Sequence, residues 1–130
     1  RIAEVSGLYS GRAVTWLPGS VPELLGLLGL RGALFPAYDL RRLLGYPQAV
    51  APHWFVVMAH ARVVLGFEQF DGHLRVPRGS IGAVQGRAAD GPRFIREVVR
   101  TDDFVRPIIH VPSLFEAIAA LGPGAVRPKE

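Results

Sequence analysis

The side chains that could carry out metal chemistry are present in this sequence, but they lack the spacing that such chemistry requires. The four histidines are His53, His60, His73 and His110. They form neither an H-x-x-x-H nor an H-x-H pattern, the spacings that place two imidazoles on one metal ion. His53 and His60 would lie about 23 Å apart in an extended chain. We therefore expect no metal site.

Nucleophilic and phosphate-binding motifs are also missing. No serine occupies the centre of a G-x-S-x-G motif, and the chain has no cysteine, which excludes disulfides and thiolate chemistry. Gly26, Gly29 and Gly32 recur at every third position, unlike a dinucleotide-binding or Walker loop. The single lysine, Lys129, is too near the end of the sequence to serve such a loop. These observations predict that the protein is not an enzyme.

Arg31 is the charged residue whose position is most informative. It follows the apolar run at residues 24–30 and precedes Gly32, and the apolar residues 33–35 follow the pair. Gly32 can adopt a positive φ, so Arg31-Gly32 predicts a tight hairpin turn. Arg31 could be a solvated turn residue. Alternatively, a rigid hairpin could present its permanently charged guanidinium beside apolar groups, a combination enriched at protein interfaces.

The elements that must position this turn are mainly strands. Residue patterns predict strands over residues 13–17, 24–30, 33–35, 54–59, 63–67 and 73–76, and helices over 40–44 and 112–121. Residues 94–101 fit a helix by spacing and a strand by residue type, and the internal repeat described below favours the strand. Pro36 lacks an N–H, which predicts an edge strand or a bulge at that point. Asp39 is the predicted N-cap of the first helix. A turn is predicted over residues 7–11, a hairpin at Asp71-Gly72, and a loop over 81–91.

An internal comparison indicates two similar modules. Residues 94–115 repeat the outline of residues 24–45: an apolar run, a turn, an apolar return with a proline, and then a helix. His110 occupies the place that Asp39 has in the first copy. This outline predicts two β modules, each followed by a helix.

Composition favours a partner-binding domain over a nucleic-acid or membrane protein. At 130 residues the chain is long enough for one domain, and 49% apolar against 20% charged residues leaves apolar surface for a partner. The net charge is +4, but the basic residues are scattered and form no run. No apolar run approaches the roughly 18 residues of a membrane-spanning helix.

Three stretches of the sequence follow the pattern of one known family. The central stretch is LLGLLGLRGALFPAYDLRRLLG at residues 24–45, preceded by Leu17-Pro18-Gly19. The other two are IAEV at residues 2–5 and FVRPIIHVPSLFEAI at residues 104–118. Together they resemble the CheW-like domain: the central stretch resembles its signature, and the other two resemble an early strand and the last strand with its terminal helix. The resemblance covers nearly the whole chain.

The resemblance implies a fold and a function. The fold is mainly β, with two SH3-like β-barrel subdomains, short helices after each module and a C-terminal helix, in a single domain over residues 1–130 that lacks one or two N-terminal strands of the family pattern. The function is that of a non-catalytic cytoplasmic adaptor in bacterial chemotaxis, which couples the cytoplasmic tip of a chemoreceptor to a CheA-type histidine kinase. No cofactor, metal or nucleic acid is implied.

The resemblance also implies a partner-binding surface. Five residues match positions linked to receptor contact or to the turn beside them: Ile2, Glu4, Gly26, Arg31 and Gly32. It further implies that Glu4 and Arg31 form a pair or lie close together at one surface.

Two other classes of function remain open from the residues alone. A small β-barrel that binds nucleic acid would use its many arginines, with Trp16, Trp54 and Phe55 stacking on bases. An enzyme is the least favoured class, because no catalytic constellation is found.

Overall fold

The structure, a computed structural model, describes residues 1–18, 21–46, 51–84 and 94–121. The strands are β1 Val5–Ser10, β2 Val14–Thr15, β3 Leu24–Leu30, β4 Ala33–Asp39, β5 Trp54–Met58, β6 Val64–Phe67, β7 Ile81–Ala83, β8 Ile95–Arg100 and β9 Val105–Ile109. The helices are α1 Leu40–Leu43 and α2 Val111–Ala119, with 3₁₀ turns at Ile2–Glu4 and Arg78–Ser80. The chain divides into two compact units, Arg1–Phe70 with the chain from Ile118, and Asp71–Ala117. The prediction of a mainly β fold is confirmed.

The first unit contains a six-stranded sheet in the order β1-β5-β6-β4-β3-β2. Its two edge strands, β1 and β2, are joined by residues 11–13 only. A flat sheet would hold edges separated by five strand spacings about 24 Å apart, whereas the link from Ser10 to Val14 spans at most about 14 Å. The sheet must therefore curl until its edges approach each other, as expected for an SH3-like subdomain.

The core of this unit lies on one face of the β3–β4 hairpin. Alternate residues of a strand point to opposite faces, and β3 accordingly buries every second position. The buried cluster consists of Leu28, Leu30, Ala37, Phe55, Val57 and Val64. The strand predicted over residues 24–30 is confirmed, because its alternating leucines match the period of the sheet.

The prediction of an edge strand at Pro36 is wrong for β4 as a whole, because β4 lies between β3 and β6, but residues 33–36 pair with β3 only. The parallel pairing of β4 with β6 begins at Ala37, one residue after the proline. Pro36 thus precedes the β6 ladder and does not interrupt it. The register irregularity falls on the partner strand, between Leu24 and Gly26.

Burial of Tyr38 gives the first unit a titratable core residue. The side chain is 2% exposed, and this desolvation raises the pKa of its phenol. Because the unfolded phenol ionises first, alkaline pH favours the unfolded state. The free energy of unfolding should therefore fall as pH rises above about 10.

We expect Tyr38→Phe to flatten this alkaline loss of stability. The measurement is urea unfolding at several pH values from 8 to 11, with Tyr46→Phe as the control because Tyr46 is exposed. If the free energy of unfolding depends on pH in the same way in the wild type and in Tyr38→Phe, Tyr38 does not cause the alkaline loss of stability.

The second unit contains the sheet β7-β8-β9, followed by α2. Its β8–β9 hairpin reproduces details of the β3–β4 hairpin. The Asp39 N–H donates to the Glu23 carbonyl at 2.8 Å, and the His110 N–H donates to the Phe94 carbonyl at 2.6 Å. Each hairpin also has a register shift at the start of its first strand. The predicted repeat of a hairpin followed by a helix is confirmed.

The two modules cap their helices with different side chains. Asp39 caps α1 by accepting a hydrogen bond from the Arg41 N–H at 3.1 Å, as predicted. At the matching position, His110 Nδ1 accepts from the Ser113 N–H at 3.3 Å. A neutral imidazole can satisfy this donor, but it carries no negative charge to oppose the helix dipole.

We therefore expect His110→Asp to stabilise the protein by about 0.5–1 kcal/mol, because a carboxylate is among the preferred N-caps and favours a helix N-terminus. Urea unfolding at neutral pH measures the change. His110→Ala is the control and should destabilise the protein. An aspartate variant no more stable than the alanine variant would show that His110 is not acting as a cap.

Glycine positions account for two wrong predictions. The turn predicted over residues 7–11 is strand β1 up to Ser10, and Gly7 marks an irregularity in its pairing with β5. The hairpin predicted at Asp71-Gly72 is absent, because β6 ends at Phe67 and residues 73–76 form no strand. Most of this segment is exposed, so it has no sheet face on which to pack.

Smaller corrections concern the ends of elements. The strand predicted over residues 13–17 is only Val14–Thr15, and the first family-like segment, Ile2–Glu4, is a 3₁₀ turn. The loop predicted over residues 81–91 begins with strand β7, and its residues 85–91 lie outside the described ranges. No helix within the described ranges is long and apolar enough to span a membrane.

Candidate partner-binding surface

The Arg31-Gly32 turn is held in an unusual backbone conformation. Leu30 pairs with Ala33, so two residues form the loop, with φ values of 51° at Arg31 and 78° at Gly32. Positive φ at both positions is the type I′ geometry, whose twist matches that of the flanking strands. Gly32 adopts it without a steric penalty, whereas an arginine there costs about 1 kcal/mol or more. The tight turn predicted from the sequence is confirmed, but the strain at Arg31 is not evident from it.

The guanidinium of Arg31 points away from the core. Arg31 is exposed, and in the described part of the chain no hydrogen bond, ion pair or aromatic ring engages its side chain. Other arginines behave differently: Arg12, Arg41, Arg62 and Arg106 each lie over an aromatic ring at 4.8–5.4 Å. The charge of Arg31 is therefore available to another molecule.

An exposed leucine lies beside this charge. Leu34 pairs with Gly29 across the hairpin and is 59% exposed. A Cβ on Gly29 would lie 3.8 Å from Leu34 Cδ2, so the leucine side chain extends over the glycine backbone. A charged group beside an apolar one is the composition of an interface anchor. Sequence analysis missed Leu34, although the register set by the turn places it opposite Gly29.

The 3₁₀ turn Ile2–Glu4 provides a second exposed segment. Ile2 is 73% exposed. Glu4 Oε1 lies 3.3 Å from the backbone nitrogen of Arg1, and the Glu4 carbonyl accepts a hydrogen bond from the Ala59 N–H at 2.9 Å. This turn is thus attached to the end of β5 and presents Ile2 outward.

The connection between β5 and β6, residues 59–63, touches both exposed segments. Ala59 holds the Glu4 carbonyl, and Arg62 Nη2 donates to the Leu34 carbonyl at 3.0 Å. The structure therefore places the Ile2–Glu4 turn and the β3–β4 hairpin around one short connection. Within the described residues, no ion pair joins Glu4 to Arg31.

Gly26 differs in its burial from Ile2, Glu4, Arg31 and Gly32, the other residues that the resemblance selected. It is buried, has a φ of +145°, and an added Cβ would lie 2.0 Å from the carbonyl oxygen of Thr15. The absence of a side chain thus allows β2 to approach β3. Because Gly26 is covered by β2, its part in the fold is close strand packing.

The aromatic residues suggested for nucleic-acid stacking do not form a platform. Phe55 is buried in the core, and the Trp54 ring packs against Phe70 at 5.3 Å between centroids. Trp16 is the member of this set that is largely exposed, at 71%. In the ranges that the structure describes, no three His, Asp or Glu side chains gather as a metal cluster would require.

These features define a small β domain that holds a charged hairpin turn and neighbouring apolar side chains outside its core, as domains that bind other macromolecules do. The family model of the CheW-like domain matches residues 1–119, so the chain belongs to the CheW-like family. Its members are non-catalytic scaffold proteins, and the chain has the role of an adaptor in chemotaxis-type signalling.

A solved structure shows the same fold. The chain is similar to the crystal structure of the scaffolding protein TtCheW from Thermoanaerobacter tengcongensis, with a TM-score of 0.76 and 20% sequence identity. The match covers 88% of this chain and 82% of that one. No curated protein matches the chain significantly by sequence.

Proposed function

We propose that this protein couples the cytoplasmic tip of a chemoreceptor to a CheA-type histidine kinase in the cytoplasm. The receptor binds the surface formed by Ile2, Glu4, Arg31, Gly32 and Leu34, and Gly26 supports that surface from within the fold. The observation that carries the proposal is an exposed arginine that has no partner among the described residues and is held at positive φ beside an exposed leucine.

The chemistry of the surface supports a protein partner. The guanidinium can bind a carboxylate through two parallel hydrogen bonds. Leu34 and Ile2 supply apolar area that is exposed to water in the free protein and that a partner would bury. A helix that carries an acidic residue next to apolar residues is complementary to this arrangement. The proposal that the protein also binds the kinase is supported by its membership of the CheW-like family.

Binding experiments with both partners test the proposal. Purified protein is titrated with a cytoplasmic signalling fragment of a methyl-accepting chemotaxis protein, and separately with the regulatory domain of CheA. We expect Leu34→Ala to weaken binding of the receptor fragment about 5- to 10-fold. Val105→Ala is the matched control, because Val105 is 54% exposed in the second unit.

The possible negative results of these binding experiments contradict different parts of the proposal. Binding to neither partner would contradict the adaptor function, whereas equal losses for Leu34→Ala and Val105→Ala would contradict the assigned surface. Binding of DNA or RNA with a steep salt dependence would instead favour the nucleic-acid alternative.

A further inference from the structure

We propose that Arg62, on the connection between β5 and β6, is a positioning residue that fixes the Arg31 hairpin in its binding orientation. The inference rests on the proposed function for its effect on partner binding. The contact on which it depends, however, is present in the free protein.

The hydrogen bond of Arg62 fills a gap in the sheet. Leu30 and Ala33 flank a two-residue turn and form the hydrogen-bonded pair, so the next pair, Gly29 and Leu34, is not hydrogen-bonded to each other. The Leu34 carbonyl therefore points away from β3. On that side the ladder with β6 begins only at Ala37. Arg62 Nη2 reaches this carbonyl at 3.0 Å and replaces the missing strand.

The same guanidinium also packs on the hairpin. Its Cζ lies 4.8 Å from the centroid of the Phe35 ring. A planar guanidinium can stack on an aromatic face and donate at its edge at the same time, which a lysine ammonium cannot do. Arg62 thus holds two consecutive residues of β4, Leu34 and Phe35.

This attachment lies close to the binding turn. Leu34 is three residues from Arg31, and a type I′ turn leaves little freedom between them. The connection that carries Arg62 also holds the Glu4 carbonyl through Ala59. Arg62 therefore sets the position of the Arg31 turn relative to the Ile2–Glu4 turn. In the proposed surface, a partner contacts both turns together.

Amide exchange in the free protein tests the attachment without any partner. We expect Arg62→Ala to increase the exchange rates of the Ala33 and Phe35 amides about fivefold, with core amides of β5 unchanged. The matched control is Arg106→Ala. Arg106 makes one hydrogen bond to Asp71 at 3.1 Å and stacks on Phe104 at 5.0 Å, but in the second unit. Unchanged exchange at Ala33 and Phe35 in Arg62→Ala would overturn the inference.

A double-mutant cycle tests the link to binding. We expect Arg62→Ala to weaken binding of the receptor fragment about fivefold, and the double variant with Arg31→Ala to bind no more weakly than Arg31→Ala alone. If the affinity losses of the two single variants instead multiply in the double variant, Arg62 acts independently of Arg31, and its positioning role is overturned. If the wild type does not bind the fragment, the proposed function fails, while amide exchange still decides whether Arg62 holds the hairpin.

Discussion

Replacing Arg31 by asparagine is expected to make the protein more stable and to remove most of its affinity for the receptor fragment. Asparagine tolerates the left-handed conformation better than arginine does, and Asn-Gly is a preferred pair for a type I′ turn. At a φ of 51°, we expect the free energy of unfolding to rise by about 0.5–1 kcal/mol. The guanidinium has no internal partner in the described chain, so its loss removes no stabilising contact there.

The effect on binding should have the opposite sign. A buried arginine anchor contributes about 2 kcal/mol or more at an interface, which predicts a loss of affinity of about 30-fold for Arg31→Asn. Arg31→Lys keeps the charge but loses the planar pair of donors, so its affinity should lie between those of the wild type and Arg31→Asn. Urea unfolding and titration with the receptor fragment measure the two quantities on the same samples.

The opposite signs make this test informative. A variant that loses affinity only because it is less folded would be destabilised, whereas Arg31→Asn should be stabilised. Reduced stability would show that Arg31 supports the fold of the free protein. Unchanged affinity would remove Arg31 from the partner-binding surface.

The β3–β4 hairpin could be predicted from sequence because its determinants are local. Alternating leucines set the buried face, and Arg31-Gly32 set the turn and hence the register of Leu34. The cap at Asp39 follows from the same stretch. The repeat of a hairpin and a helix was visible because the proline and capping positions recur at Pro107 and His110.

Features that depend on distant strands were not predictable in the same way. β1 is a strand because it pairs with β5, more than forty residues later, and its glycine suggested a turn. The parallel pairing of β4 with β6 makes β4 an internal strand despite Pro36. The contact of Arg62 with Leu34 also depends on this arrangement, since nothing near Arg62 in the sequence indicates it.

Gly26 shows how a family resemblance can select a residue without giving its physical role. The resemblance placed Gly26 among contact residues, but the approach of β2 covers it. Substitution of Gly26 would therefore disturb binding through the fold of the hairpin.

Gly26→Ala is accordingly expected to destabilise the protein by about 3 kcal/mol or more. The new Cβ would lie 2.0 Å from the Thr15 carbonyl oxygen and 2.9 Å from Val14 Cγ1, so β2 would have to leave its place or β3 would have to distort. The φ of +145° adds strain for any residue with a side chain.

Gly29→Ala on the same strand is the matched control. The nearest atom to its new Cβ would be Leu34 Cδ2 at 3.8 Å, an ordinary contact, and the lower entropy of the unfolded chain should leave stability unchanged or slightly higher. Urea unfolding of both variants measures the contrast. Equal stabilities would mean that β2 does not pack against Gly26. If Gly26→Ala kept full stability but lost receptor binding, Gly26 would belong to the contact surface itself, because only a partner could then detect the added methyl group.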